Sequence, residues 1–204
     1  MEFLTGINLV TFLEAAGYAG VFGIVFAESG LFVGFFLPGD SLLFTAGFLA
    51  SQQYFNIAIL VLLTFVAATL GDSFGYAFGR RMGPKIFRRE RSLLFHPEYI
   101  VRTRQFYERH GGKVIVLARF MPVIRTFAPI FAGVGRMRYP TFLFYNLIGA
   151  FAWAVGITAL GYILGSTVPG VDRYLIPIIL VIIIVSFLPP IFHLVKERRK
   201  QQSS

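Results

Sequence analysis

The chain has 204 residues, of which 56% are hydrophobic and 14% are charged, against about 25% charged residues in an average soluble domain. It contains 24 phenylalanines and no cysteine, which excludes disulfides, thiolate metal sites and thiol chemistry. The three histidines lie far apart and show no metal-ligand spacing. This composition predicts an integral membrane protein with no metal and no cofactor.

The formal net charge of +9 is concentrated in two segments. Ten of the 19 basic residues lie between Arg80 and Lys113, and four more lie between Lys196 and Lys200. In a chain this apolar, the positive-inside rule predicts that both segments are cytoplasmic. The same charges are expected to attract anionic lipid headgroups. Because the chain has a membrane composition, they do not indicate nucleic-acid binding.

The apolar segments are separated by polar or helix-breaking stretches. A short interfacial helix is predicted at 8–16, and residues 17–37 are apolar except for Glu28. Pro38-Gly39 then breaks the helix before a second apolar piece. The remaining predicted elements are a span at 55–79, a polar helix from about Pro97 to His110, and two C-terminal spans at 141–168 and 174–195.

Residues 114–135 form an apolar run that carries two arginines and two prolines. Because the C-terminal tail is predicted to be cytoplasmic, the two C-terminal spans place the end of this run on the cytoplasmic side, where it also begins. The run is therefore predicted to be a re-entrant hairpin that turns near Pro122 to Pro129. Such backbone is tolerated at membrane depth only inside protein or beside a wet cavity.

The N-terminal half shows the same plan. A hairpin at about 28–50, hinged at Pro38-Gly39, is predicted to open to the opposite face of the membrane. FFLPGDSLLFTAG and RFMPVIRTFAPIFAG share a Phe-x-Pro and a closing Ala-Gly. The predicted fold is an all-α integral membrane protein, one domain over 1–204. Two oppositely oriented re-entrant hairpins form an inverted repeat in it, beside complete transmembrane helices.

Glycines recur every fourth residue in the span 55–79 and just beyond it, which predicts a helix edge for close packing. The ladder consists of Gly71, Gly75, Gly79 and Gly83.

Several long strings resemble one known family. They are ESGLFVGFFLPGDSLLFTAG, GDSFGYAFGRRMG, FYERHGGKVIVLARFMPVIRTFAPIFAGVGRM and YPTFLFYNLIGAFAW, and they cover most of residues 28–153. In them the chain resembles the DedA family of membrane proteins, which share a domain with certain eukaryotic lipid-scrambling proteins. The resemblance implies two opposed re-entrant hairpins and, for bacterial members, undecaprenyl phosphate recycling and proton-dependent envelope homeostasis. It also implies four required charged residues, which fall on Glu28, Asp40, Arg119 and Arg125.

The four charged residues each have two interpretations. Arg119 and Arg125 either present fork-shaped donors to a phosphate or pair with buried carboxylates that hold the hairpins together. Membrane depth and the resemblance favour phosphate contact. Glu28 and Asp40 either exchange protons during transport or form permanent ion pairs with the arginines. Asp40 and Ser41 are also candidate N-caps of the next helix.

Further residues are secondary candidates. Asp72, in the middle of a span, is expected to satisfy the broken backbone of a hairpin. Tyr76 lies beside the glycine ladder, and Ser41 and Thr126 lie beside the charged positions. Aromatic residues of the C-terminal half are expected at the membrane interfaces; they are Tyr139, Tyr145 and Trp153.

Together these features predict a proton-coupled carrier that moves the headgroup of a polyprenyl (undecaprenyl) phosphate across the bacterial inner membrane. The alternatives are a nonspecific phospholipid scramblase, a proton-coupled antiporter and, less favoured, a lipid phosphatase. An enzyme is disfavoured because no nucleophile–base constellation is visible. The expected partners are a polyprenyl phosphate or another anionic lipid, protons and membrane lipids, with homo-oligomerisation left open.

Overall fold

The computed structural model describes residues 6–31, 37, 39–86, 98–168 and 177. Within these ranges all regular structure is helical, which confirms the predicted all-α class. The elements are α1 (Gly6–Gly30), α2 (Gly39–Ser51), α3 (Ile57–Ile86), α4 (Glu98–His110), α5 (Lys113–Ala118), α6 (Pro122–Val134), α7 (Tyr139–Ala150), a π-helical turn (Phe151–Val155) and α8 (Gly156–Thr167).

Some predictions fall outside the described residues. They concern Pro38 in the first hinge, the span 174–195 and the basic tail that follows it. The predicted basic segment 80–113 is described in part, because α3 continues to Ile86 and the chain resumes with α4 at Glu98.

Two helical stretches are long and apolar enough to cross a membrane, Ile57–Gly83 and Tyr139–Thr167. They coincide with two of the three predicted complete spans. The first begins where the side-chain oxygen of Asn56 accepts the N–H groups of Ala58 at 3.0 Å and Ile59 at 3.2 Å. This cap satisfies donors that the first helical turn cannot pair internally.

The helices α1 and α3 run in the same direction. The rings of Tyr18 and Phe55 lie 5.1 Å apart, and those of Phe26 and Phe74, further along both helices, lie 6.0 Å apart. Before Tyr18, α1 is kinked at Gly17, whose φ of 56° suits glycine. The kink separates the predicted interfacial helix from the part of α1 that packs on α3.

The helix α7 runs opposite to α3. The ring of Phe142 stacks on Tyr76 with centroids 4.6 Å apart. Asn146, one turn after Phe142 in α7, donates from Nδ2 to the carbonyl of Thr69 at 3.1 Å. Thr69 lies two turns before Tyr76 in α3. Because the π-helical turn joins α7 to α8 within one continuous stretch, α8 keeps the same direction.

The helix α2 packs along α8 in the same direction. Gly161 lies against the backbone of Phe44, and Gly165 lies one turn further on against Ser51. The helix α8 runs opposite to α3, whereas α1 runs in the same direction as α3. Because α2 runs in the same direction as α8, it runs opposite to α1.

The helix α6 packs along α3 in the same direction. Gly75 lies 3.6 Å from Pro129 and Gly83 lies 3.0 Å from Val134, both measured from the position a Cβ atom would take. A Cβ atom at Gly79, between them, would overlap the α6 backbone. The glycine ladder of α3 therefore serves close helix packing, as predicted.

The two closing Ala-Gly pairs of the similar motifs make equivalent contacts. Gly47 of α2 lies against the carbonyl of Thr158 in α8, and Gly133 of α6 lies against the carbonyl of Tyr76 in α3. In each case a side chain would overlap backbone, so both positions need glycine for the close approach.

The helices α5 and α6 run in opposite directions. A Cβ atom at Gly112 would overlap the ring of Tyr145, and one at Gly149 would lie 3.4 Å from Val116, so α5 runs in the same direction as α7. The helix α7, and with it α5, runs opposite to α3, whereas α6 runs in the same direction as α3. The chain therefore reverses between α5 and α6.

This reversal lies at 119–121, just before Pro122, so the predicted position of the turn, near Pro122 to Pro129, was too far along the chain. Pro122 is the first residue of α6, where a missing N–H costs nothing because that donor is unpaired in any helix. Pro129 lies inside α6 and packs against Gly75. The prolines therefore follow the turn and do not form it.

The helix α4 is held on α6 by Tyr107. This side chain is buried, and its hydroxyl donates to the carbonyl of Ala128 at 2.9 Å. Burial raises the pKa of the Tyr107 phenol above its usual value of 10.0.

The substitution Tyr107→Phe is expected to weaken the α4–α6 contact by about 1 kcal/mol, because it leaves a buried carbonyl without its donor. The neutral phenol is favoured in the folded state, so its contribution is present below about pH 10 and is lost as pH rises through the raised pKa. Limited proteolysis of α4 measures both effects, with the exposed Val101→Ala as a control. Equal cleavage of α4 in Tyr107→Phe and wild type would contradict this role.

Candidate functional site

One half of the site is built around Arg119, at the break between α5 and α6. The guanidinium is buried, and its Nη2 forms an ion pair with the carboxylate of Asp72. The same nitrogen donates to Asn146 Oδ1 at 2.8 Å and to the carbonyl of Ala68 at 3.3 Å. Arg119 therefore ties the break to both α3 and α7.

The other half is built around Arg125, in the first turn of α6. Its Nη2 forms an ion pair with Glu28, and its Nη1 donates to Asp40 Oδ1 at 2.6 Å. Glu28 stands near the end of α1, and Asp40 stands in the first turn of α2. A side chain at Gly39 would overlap the Glu28 carboxylate, so glycine at this position makes room for the pair.

Trp153 joins the two halves. Its Nε1 donates to Asp40 Oδ1 at 2.7 Å. The centroid of its ring lies 4.6 Å from Arg125 Cζ and 5.5 Å from Arg119 Cζ, both within range of a cation–π contact. All six side chains form what we call the charged cluster: Glu28, Asp40, Asp72, Arg119, Arg125 and Trp153.

The charges of this cluster do not balance. Three carboxylates face two guanidiniums, so the fully ionised cluster carries one negative charge. Buried charges are tolerated when they are paired and hydrogen-bonded. Three guanidinium nitrogens are nevertheless buried without a hydrogen-bond acceptor; they are Nε and Nη1 of Arg119 and Nε of Arg125. The carboxylate oxygens of Glu28 are likewise buried and have no hydrogen-bond donor beyond the ion pair with Arg125. The cluster can therefore take up a proton, and it also retains donors for an anion.

The secondary candidates are divided by the structure. Thr126 contacts the backbone next to the cluster, since its hydroxyl donates to the main-chain carbonyl of Glu28 at 3.3 Å. Ser41 is buried one residue after Asp40. Tyr76 lies away from the charges: its hydroxyl donates to the carbonyl of Met137 and accepts a bond from Arg80 at 2.9 Å.

Two expectations need correction. Asp72 was expected to satisfy hairpin backbone, but its carboxylate pairs with Arg119. Trp153 was expected at an interface, but it is only 2% exposed. Its donor and ring face are both used by charged residues, which makes burial favourable.

Sequence reasoning also missed Asn146, which bonds both Arg119 and the backbone of α3. A signal was present, because an amide in the middle of an apolar span needs partners that lipid cannot supply. The signal for Trp153 was weaker, since tryptophan is common at interfaces.

An apolar groove lies on the other side of the α5–α6 break, facing α4. Its volume is about 760 Å³, within the range of roughly 300–1,000 Å³ that small-molecule sites occupy. Ala118 and Ile124 line it, each next in sequence to a cluster arginine. The break thus has charges on one side and an apolar groove on the other.

Fold and site together define an integral membrane protein with a buried charged cluster between closely packed helix pairs. Residues 37–163 match the VTT domain. The chain is 47% identical to Protein DedA of Escherichia coli (strain K12) over 184 residues, which cover 89% of this chain and 84% of that protein. It is 44% identical to an uncharacterized membrane protein of Mycobacterium leprae (strain TN), covering 87% and 79% of the two chains. It is 35% identical to inner membrane protein YqjA of E. coli (strain K12), covering 74% and 68%.

The chain is therefore a member of the VTT-domain family and, within it, a DedA-family membrane protein. The matched VTT region contains the whole charged cluster except Glu28. No solved structure matches the chain.

Proposed function

We propose that this protein is a carrier that moves the headgroup of a polyprenyl phosphate across the bacterial inner membrane, coupled to protons. The observation that carries the proposal is the buried pair Arg119 and Arg125, whose guanidiniums keep three donors without acceptors. The planar fork of arginine matches a phosphate, and buried donors without acceptors favour a ligand that supplies them.

The helix directions support two opposed re-entrant hairpins in this proposal. The chain reverses direction between α1 and α2 and again between α5 and α6. The two reversals have opposite senses, because α1 runs in the same direction as α3 and α5 runs opposite to α3. Short broken helices that meet near a buried charge are the usual site of inverted-repeat transporters. The proposed orientation, with 80–113 and the C-terminal tail in the cytoplasm, follows from the positive-inside rule.

The charge of the cluster supports proton coupling. A phosphate group that enters a cluster already carrying one negative charge is repelled unless carboxylates are neutralised. In the proposed cycle Glu28 and Asp40 take up protons as Arg125 turns from them to the phosphate. They release the protons when the phosphate leaves, so headgroup and proton movements are linked.

The hydrocarbon tail does not enter the cluster in this mechanism. The groove behind the α5–α6 break is lined almost entirely by apolar side chains. In the proposed cycle this groove receives the start of a prenyl chain while the rest of the chain stays in lipid.

The test replaces each arginine in turn. Arg119→Ala and Arg125→Ala are each expected to abolish movement of a polyprenyl phosphate across reconstituted liposomes, because each removes a phosphate ligand. Thermal unfolding tests whether the variants are folded. The matched control is Arg104→Ala on α4, where the arginine side chain is 65% exposed. Wild-type transport rates in both cluster variants would contradict the proposal.

A proton-coupled antiporter is the second candidate, because both guanidiniums of the described cluster already have carboxylate partners. Proton movement driven by a gradient of Na⁺ or K⁺ in liposomes that contain no polyprenyl phosphate would favour it. Equal movement of zwitterionic phospholipids in a headgroup competition would favour a nonspecific scramblase. Release of inorganic phosphate from the lipid by pure protein would favour a lipid phosphatase.

A further inference from the structure

Trp153 is the single tryptophan of the chain, and it lies in an unusual piece of backbone. It sits in the π-helical turn Phe151–Val155, between α7 and α8. Such turns insert a residue into a helix and are frequent at functional sites. The same turn also carries Phe151, which is 62% exposed, whereas Trp153 is 2% exposed.

The hydrogen bond of Trp153 converges with an ion pair on one atom. Asp40 Oδ1 accepts both the indole N–H at 2.7 Å and Arg125 Nη1 at 2.6 Å. Because these donors come from the π-helical turn and from α6, the oxygen is held from two helices. Hydrogen bonds to charged groups are the stronger ones, so this bond restrains Asp40 where Arg125 can reach it.

The indole ring makes a second connection. Arg125 Cζ and Arg119 Cζ lie 4.6 Å and 5.5 Å from the ring centroid. Movement of one guanidinium off the ring therefore changes the surroundings of the other. In the described structure the ion pairs of Arg119 and those of Arg125 have different carboxylate partners, and the ring contacts both arginines.

We propose that Trp153 is a positioning residue: its N–H holds Asp40 for Arg125, and its ring couples Arg125 to Arg119. This inference rests on the proposed function for its effect on lipid, and on the contacts alone for the coupling.

The lipid test uses farnesyl phosphate, a short polyprenyl monophosphate, with farnesol as the probe that lacks phosphate. Trp153→Phe keeps a ring but loses the N–H, and it is expected to weaken farnesyl phosphate binding about tenfold. Trp153→Leu also loses the ring face and is expected to weaken binding about fivefold further. Phe151→Leu, in the same turn, is the matched control and should bind as wild type does.

The order of these variants separates positioning from packing. A tryptophan that only fills space is replaced well by phenylalanine, so Trp153→Phe would then bind like Phe151→Leu, and that result overturns the proposal. Thermal unfolding checks the fold. If Trp153→Leu does not fold, Trp153→Phe alone decides. Failure of the wild type to bind farnesyl phosphate would instead contradict the proposed function.

The coupling has a test without the lipid phosphate, since all tryptophan fluorescence of the chain, excited selectively over its tyrosines, comes from one residue. Arg119→Gln and Arg125→Gln are each expected to shift the emission maximum of Trp153, whereas Arg104→Gln on the exposed face of α4 should not. An emission spectrum that is indifferent to either cluster substitution overturns the proposal, whatever the lipid result.

Discussion

Arg125→Gln is expected to lower the free energy of unfolding by about 3–5 kcal/mol, the usual cost of breaking a buried ion pair from one side. Arg125 is the ion-pair partner of both Glu28 and Asp40; Arg125 and Glu28 are buried, and the Asp40 side chain is 15% exposed. Glutamine would leave two carboxylates close together without their cation. Thermal unfolding at neutral pH in a mild detergent measures the loss.

A matched variant separates this loss of stability from the loss of function. The triple substitution Arg125→Gln, Glu28→Gln and Asp40→Asn removes the unpaired charges as well. Most of the cost of removing one partner comes from the uncompensated buried charge, and the triple variant has no such charge, so stability should return to within about 1–2 kcal/mol of wild type. Transport should stay absent, because the phosphate ligand is still missing. A triple variant that transports normally would show that these charges serve only to hold the helices together.

Gly79→Leu is expected to have the second large effect, because it separates two helices in contact. Already the Cβ atom would overlap the carbonyl of Ile130, which belongs to the α6 backbone and cannot move alone. Overpacking costs about 1–3 kcal/mol even where side chains can adjust, so we expect at least that loss in unfolding free energy. Since α6 carries Arg125, its displacement should also abolish transport.

The control is a glycine with free space around it. A Cβ atom at Gly156, in α8, meets nothing within 4 Å. Alanine is favoured over glycine in a helix by roughly 0.8–1.0 kcal/mol, so Gly156→Ala should raise the melting temperature while Gly79→Leu lowers it. Equal melting temperatures for both variants and wild type would contradict the close α3–α6 contact.

Much of the fold was accessible from patterns that act locally. Apolar runs of sufficient length marked Ile57–Gly83 and Tyr139–Thr167, and a four-residue glycine spacing marked the packing edge of α3. Lipid cannot form hydrogen bonds to backbone groups or stabilise charged side chains. A membrane helix is therefore restricted to long apolar runs, which can be recognised in the sequence. The turn of the second hairpin was misplaced because proline is equally compatible with a turn and with the first residue of a helix.

The partners of the charges were not accessible in the same way. Arg119 and Asp72 are 47 positions apart, and Arg125 and Asp40 are 85 apart. Any of three carboxylates could have paired with either arginine, and the directions of α3, α6 and α7 decided which did. Trp153 belongs to the cluster because its position in the π-helical turn directs its side chain inward. No residue pattern in the sequence predicts a π-helical turn.

The sequence by itself determined that this protein is a membrane protein with buried charged residues. Its composition is too apolar for a soluble domain, and charged side chains are too costly to expose to lipid. Its long strings also determined the family. Only the tertiary structure decided that Asp72 belongs to Arg119, that Glu28 and Asp40 share Arg125, and that one indole touches both arginines. These pairings depend on how closely the glycine-lined helices approach, and that distance is a property of the packed helices together.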